Sequence, residues 1–86
     1  MITFNDLTFK THSSHMEGVQ ARITFENGYG ASVVKTPYTY GGDRGLYELA
    51  VFKDGEITYA TPITDDVIGY LRPEDVTDVM AKIQQL

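Results

Sequence analysis

The chain has 86 residues, 42% of them apolar, with seven Lys and Arg against twelve Asp and Glu for a net charge of -5, and it contains no Cys. That length supports one hydrophobic core, expected as a single domain over residues 1–86, and the missing thiols exclude disulfides, a Cys-based zinc site and thiolate chemistry. The acidic balance argues against direct nucleic-acid binding, which requires a cationic surface facing phosphate.

At the start, Met1 to Asp6 lacks the cationic and apolar regions of a secretory leader, and no stretch reaches the roughly 18 apolar residues of a membrane span. A soluble, intracellular protein without membrane contact is therefore expected. Ile2 to Phe4 and Leu7 to Lys10 are β-prone pieces that together suggest one strand with an irregular start. Next come His12 and His15, with Ser13, Ser14 and Glu17 between and beside them. Two imidazoles and a carboxylate suit zinc by type, but they stand in a polar loop with no third strong ligand fixed by spacing, so no metal and no cofactor is expected.

From Val19 the period is two. Val19, Ala21, Ile23 and Phe25 alternate with Gln20, Arg22, Thr24 and Glu26, the pattern of a half-buried strand. It runs into Asn27-Gly28, a hairpin signal, and the register can be argued because a one-residue slip moves every side chain to the opposite face. Closure at Glu26-Asn27-Gly28 pairs Phe25 with Tyr29, Ile23 with Ala31 and Ala21 with Val33, with Gly28 left-handed. The same test on Leu46 to Tyr59 favours a three-residue loop at Lys53-Asp54-Gly55, pairing Val51 with Ile57 and Leu49 with Tyr59.

Between these hairpins lies the least ordinary segment, Thr36 to Tyr47, with three Tyr, three Gly and Arg44. Tyr38, Tyr40, Arg44 and Tyr47 are the candidate partner-binding residues, since Tyr offers large contact area at low side-chain entropy and Arg a planar fork of donors. The plainer alternative is a glycine-rich crossover whose rings cover the sheet edge. A phosphate cradle at Gly41 to Gly45 lacks the Lys-Ser/Thr of a P-loop and carries Asp43 at its centre. A Ser-His-Asp site would need Ser13, Ser14 or Ser32 without a nucleophile elbow, so no catalytic residue is assigned.

Residues 1–60 are expected to be mostly β; after Pro62 the expected character is helical over residues 63–86, with a short turn from Asp65 to Leu71 behind an N-cap at Thr64. A longer C-terminal helix then opens on Pro73 and carries Val76, Val79, Met80, Ile83 and Leu86 on one stripe. Arg72 is a poor cap. Asp65, Asp66, Glu74, Asp75 and Asp78 form an acidic patch opposed only by Arg72, read as a solvated face, a surface for a basic partner, or an imitation of DNA phosphates. The whole reads as α+β: an antiparallel meander sheet of four to five strands with a C-terminal helix packed on one face. Its open edges, guarded only by Lys10, suggest a homodimer.

Three stretches carry a family likeness: Glu26 to Val34 (ENGYGASVV), Gly45 to Val51 (GLYELAV) and Thr61 to Leu71 (TPITDDVIGYL). Together they resemble a group of small uncharacterised proteins encoded by tailed bacteriophages and prophages, over about residues 19–86. The resemblance implies a bacterial cytoplasm as the setting and carries over no functional residue. The function expected is a non-enzymatic accessory module that binds a bacterial host or phage protein. The alternatives are a small-ligand binder or minor enzyme using the Tyr/Arg/Gly loop, and a virion or assembly component.

Overall fold

The computed structural model describes residues 1–12, 18–64 and 66–86. His15, Glu17 and Asp65 lie outside the described residues, so the His pair and one member of the acidic patch are not located. Among the described residues six strands form one antiparallel sheet: β1 (Lys10–Thr11), β2 (Val19–Thr24), β3 (Tyr29–Lys35), β4 (Tyr47–Lys53), β5 (Glu56–Ile57) and β6 (Ile68–Leu71). Among the described residues one α-helix, α1 (Pro73–Ile83), packs on one face, so the architecture is the expected α+β meander.

The first hairpin has the expected register. Ala21 faces Val33 and Ile23 faces Ala31, the Phe25 N–H donates to the Tyr29 carbonyl at 2.7 Å, and Gly28 is left-handed at φ 86°. The second hairpin differs. Phe52 faces Ile57 and Lys53 faces Glu56, so the loop is the two residues Asp54 and Gly55, with φ 52° and 86°. Both central residues of a type I′ turn require positive φ, and Asp-Gly suits that turn. The slip moves Ile57 onto the face opposite the helix, where it remains 43% exposed. Val51 and Leu49 are buried without it: Ile68 of β6 stands opposite Leu49, and Leu49 and Val51 both lie in the core cluster with Val76, Met80 and Ile83.

β6 is itself a correction, since this stretch is extended rather than helical. It pairs with β4, Ile68 opposite Leu49 and Leu71 opposite Tyr47, with a bulge that places Tyr70 at φ 59°. The exposed edge of β4 and the burial of Leu71 outweigh the local acidic helix-start signal. β5 and β6 run in the same direction along one edge of β4, so the edge strand is interrupted by an excursion from Thr58 to Val67. The start of the chain also departs from expectation. Phe4–Asp6 is a 3-10 turn, and the first strand shrinks to Lys10–Thr11. The turn is held from the helix instead, the Thr77 hydroxyl accepting the Phe4 N–H at 3.0 Å.

On the helix, Val76, Met80 and Ile83 are fully buried against Val33, Leu49 and Val51, while Val79 packs at the margin and Leu86 lies past the helix end. The weak cap at Arg72 is compensated three residues on. The Asp75 carboxylate accepts the Arg72 main-chain N–H at 3.0 Å and its Nε–H at 3.1 Å. At the other end Asn27 of the first hairpin donates from Nδ2 to the Ile83 carbonyl at 2.9 Å, while its Oδ1 accepts the Tyr29 N–H. One side chain thus closes a β-turn and caps a helix C-terminus, whose last carbonyls lack intrahelical partners.

Candidate functional site

Among the described residues no element packs on the second face of the sheet, so that face and the loop leading onto it form the candidate interface. The loop from Thr36 to Leu46 is closely bonded. The Thr39 hydroxyl accepts the Thr36 N–H at 3.0 Å and donates to the Thr36 carbonyl at 3.1 Å, and the Thr36 hydroxyl accepts the Tyr38 N–H at 3.1 Å. A 3-10 turn, Gly42–Arg44, follows, and the Gly41 carbonyl accepts N–H bonds from Arg44 and Leu46. Ser/Thr side chains bonding their own backbone fix a loop that has no strand neighbour.

Tyr40 ties this loop to the sheet through its main chain. Its N–H donates to Glu48 Oε2 at 2.8 Å, and its carbonyl accepts the Tyr70 N–H at 3.1 Å. Gly69, in the β6 bulge, lies directly beneath Tyr40 Cβ with no room for a side chain of its own. The ring is left over. Tyr40 is 60% exposed and Tyr38 80%, with Arg44 exposed beyond them. Three of the four candidate residues are therefore gathered on one ordered loop.

Tyr47 is not among them. It points to the helix side, where its ring meets Phe4 edge-on at 5.2 Å and Phe9 at 5.4 Å, with Lys35 Nζ 5.1 Å from its centroid. Aromatic clusters of this kind add about 0.5–1.5 kcal/mol per pair beyond area burial, which makes Tyr47 part of the packing beneath β1.

Three residues outside the sequence-derived set complete the open face. Tyr70 stands 57% exposed beside Tyr40, carried outward by the bulge. At the other end, Arg22 stacks on Phe52 with its Cζ 4.0 Å from the ring centroid and donates to the Gly55 carbonyl at 2.9 Å. Between these ends lie Ser32, Val34 and Ala50, small side chains that make a shallow floor. Strand alternation marks Arg22 and Phe52 as facing away from the core. It does not reveal that they stack, because that depends on the register of β3 against β4, which sets Phe52 opposite Gly30 and so diagonal to Arg22.

The acidic patch is less charged than its composition. Arg72 lies 3.1 Å from Asp75 and 3.9 Å from Glu74. The Arg72 side-chain and main-chain hydrogen bonds hold the Asp75 carboxyl below its ordinary value, and the same bond to Asp75 raises the Arg72 guanidinium. Asp66, Glu74 and Asp78 are exposed. Among the described residues no group of three His, Cys, Asp or Glu is placed to hold a metal ion, and no helix is long and apolar enough to cross a membrane. Comparison with protein-family models, with curated proteins and with solved structures gives no match.

Proposed function

We propose that this chain is a non-enzymatic interaction module that binds a protein through Tyr38, Tyr40 and Arg44 together with Tyr70 and the open sheet face. The observation that carries this reading is the pairing of exposed aromatic rings with a hydrogen-bonded loop backbone. Binding through a loop that is already ordered avoids much of the entropy cost of fixing it, and Tyr and Arg dominate the energetics of protein interfaces. The acidic net charge favours a protein over a nucleic acid as the partner. The phage likeness of Glu26 to Val34 and the two later stretches makes that partner a bacterial or phage protein, and the chain a small accessory protein of the bacterial cytoplasm.

The test is capture of a partner from bacterial lysate on the immobilised chain, followed by titration of the captured protein against the parent, Tyr40→Ala and Arg44→Ala. Because Tyr40 contributes its main chain to the fold and its ring to solvent, both variants should melt close to the parent. Binding should weaken by more than about 1 kcal/mol in each. Variants that unfold while binding per folded molecule persists would assign the rings to structure instead.

A further inference from the structure

The outer edge of β2 is only partly covered. β1 pairs with it at Val19 and Gln20, and the His12 N–H extends the ladder to the Gly18 carbonyl at 2.9 Å. Main-chain groups alternate between the two sides of a strand. Phe25 bonds toward β3 through Tyr29 and Gly18 bonds outward to His12, so the even-numbered residues of β2 direct their N–H and C=O groups outward. Gln20 meets Lys10. Among the described residues the outward N–H and C=O of Arg22 and Thr24 have no partner in the chain.

Beside this bare stretch, on the helix side, a groove is lined by Ile2, Ile23 and Phe25 on its apolar side and by Asp6 and Glu26 at its rim. Asp6 Oδ2 accepts the Thr3 N–H at 2.8 Å, and Glu26 is exposed. The one nearby cation on β2 is committed elsewhere, since the Arg22 guanidinium is stacked on Phe52 on the opposite face. We propose that the Arg22–Thr24 edge is a second docking site, which takes an extended segment of a partner protein as an added strand. That segment carries an apolar side chain for Ile23 and Phe25 and a Lys or Arg for Asp6 and Glu26. Main-chain pairing supplies affinity in such strand addition, and alternate side chains supply selectivity. This site is separate from the tyrosine loop and stands or falls independently of it.

The experiment titrates short capped peptides into ¹⁵N-labelled protein. One alternates Lys and Val, a second has Glu in place of Lys, and a third is the Lys peptide N-methylated at alternate residues. Amide shifts centred on Arg22 to Thr24 are expected with the Lys peptide, with the Glu version about fivefold weaker or more and the N-methylated one silent. Glu26→Lys should erase the preference for Lys. Thr24→Pro removes an outward N–H that the β2–β3 ladder does not use, so it should fold and bind the Lys peptide about fivefold more weakly. Equal binding of the Lys and Glu peptides, or shifts confined to the Tyr38–Arg44 loop, would overturn the proposal. So would a concentration-dependent dimer that protects the Arg22 and Thr24 amides and is lost in Thr24→Pro, because the edge would then belong to a second copy of this chain.

Discussion

Two glycines isolate the cost of left-handed backbone from the cost of crowding. Gly28 and Gly55 share φ 86°, yet a Cβ added at Gly55 meets nothing within 4 Å, and one at Gly28 meets only Asp54 Oδ1 and Lys53 Nζ at 3.4 Å. Gly28→Val and Gly55→Val should therefore destabilise by similar amounts, about 1 kcal/mol or more, from conformation alone. Chemical denaturation of both variants checks this. Asp75 permits a test in pH. Its carboxyl is held below the ordinary value by the Arg72 side chain and N–H, so the folded state favours the charged form. The resulting stability is present above the ordinary aspartate value and is lost as the pH falls through the lower folded value. Asp75→Ala should melt below the parent at neutral pH, and thermal melts should show the gap narrowing with acidification through that range.

At the scale of elements, the helix holds the largest share of the core that one segment can remove. Val76, Met80 and Ile83 are fully buried, and Met80→Ala or Ile83→Ala should each cost about 2–5 kcal/mol in denaturant unfolding, a large part of what a small domain has. A chain ending at Arg72 should not fold cooperatively, which circular dichroism would show. The helix is legible from its spacing and from Pro73, and the first hairpin from apolar matching across Asn27-Gly28. The same matching misleads at the second hairpin. It assumes that Ile57 and Tyr59 must cover Val51 and Leu49, whereas Leu49 is paired by β6, distant in sequence, and Val51 is buried in the core cluster with the helix. A segment such as Ile68–Leu71 is too short for periodicity to decide, and its strand character arises from the neighbour it pairs with.

The candidate site divides along the same line. Tyr38, Tyr40 and Arg44 are legible because Pro37 and three glycines mark a loop and their residue types suit an interface. The inward turn of Tyr47 follows from its alternation with Leu49 and Val51 on β4 and is legible in the sequence, whereas the outward turn of Tyr70 comes from a bulge that depends on long-range pairing. Register across distant strands is what a single sequence expresses most weakly, since each alternation pattern is compatible with several partners.

One feature at the rim of the sheet acts on the molecule as a whole. The Gln84 side-chain amide accepts the Ile2 N–H at 3.0 Å and donates to the Ile2 carbonyl at 2.8 Å, imitating a strand neighbour across 82 positions of chain. Apart from this clasp and the bond from Phe4 to Thr77, the order of the sheet from β1 to β5 follows the order of the chain. Residues 2 and 84 are thus neighbours, close enough for a short linker to join the two ends. A circular permutant that joins residue 86 to residue 1 through a short Gly-Ser linker and opens in the excursion near Tyr59-Ala60, both exposed, should keep the same sheet and helix. It loses no strand pairing, but it makes the Ile2–Gln84 contact local while setting β6 at the opposite end of the chain from β4, so it should refold more slowly than the parent, by stopped-flow measurement.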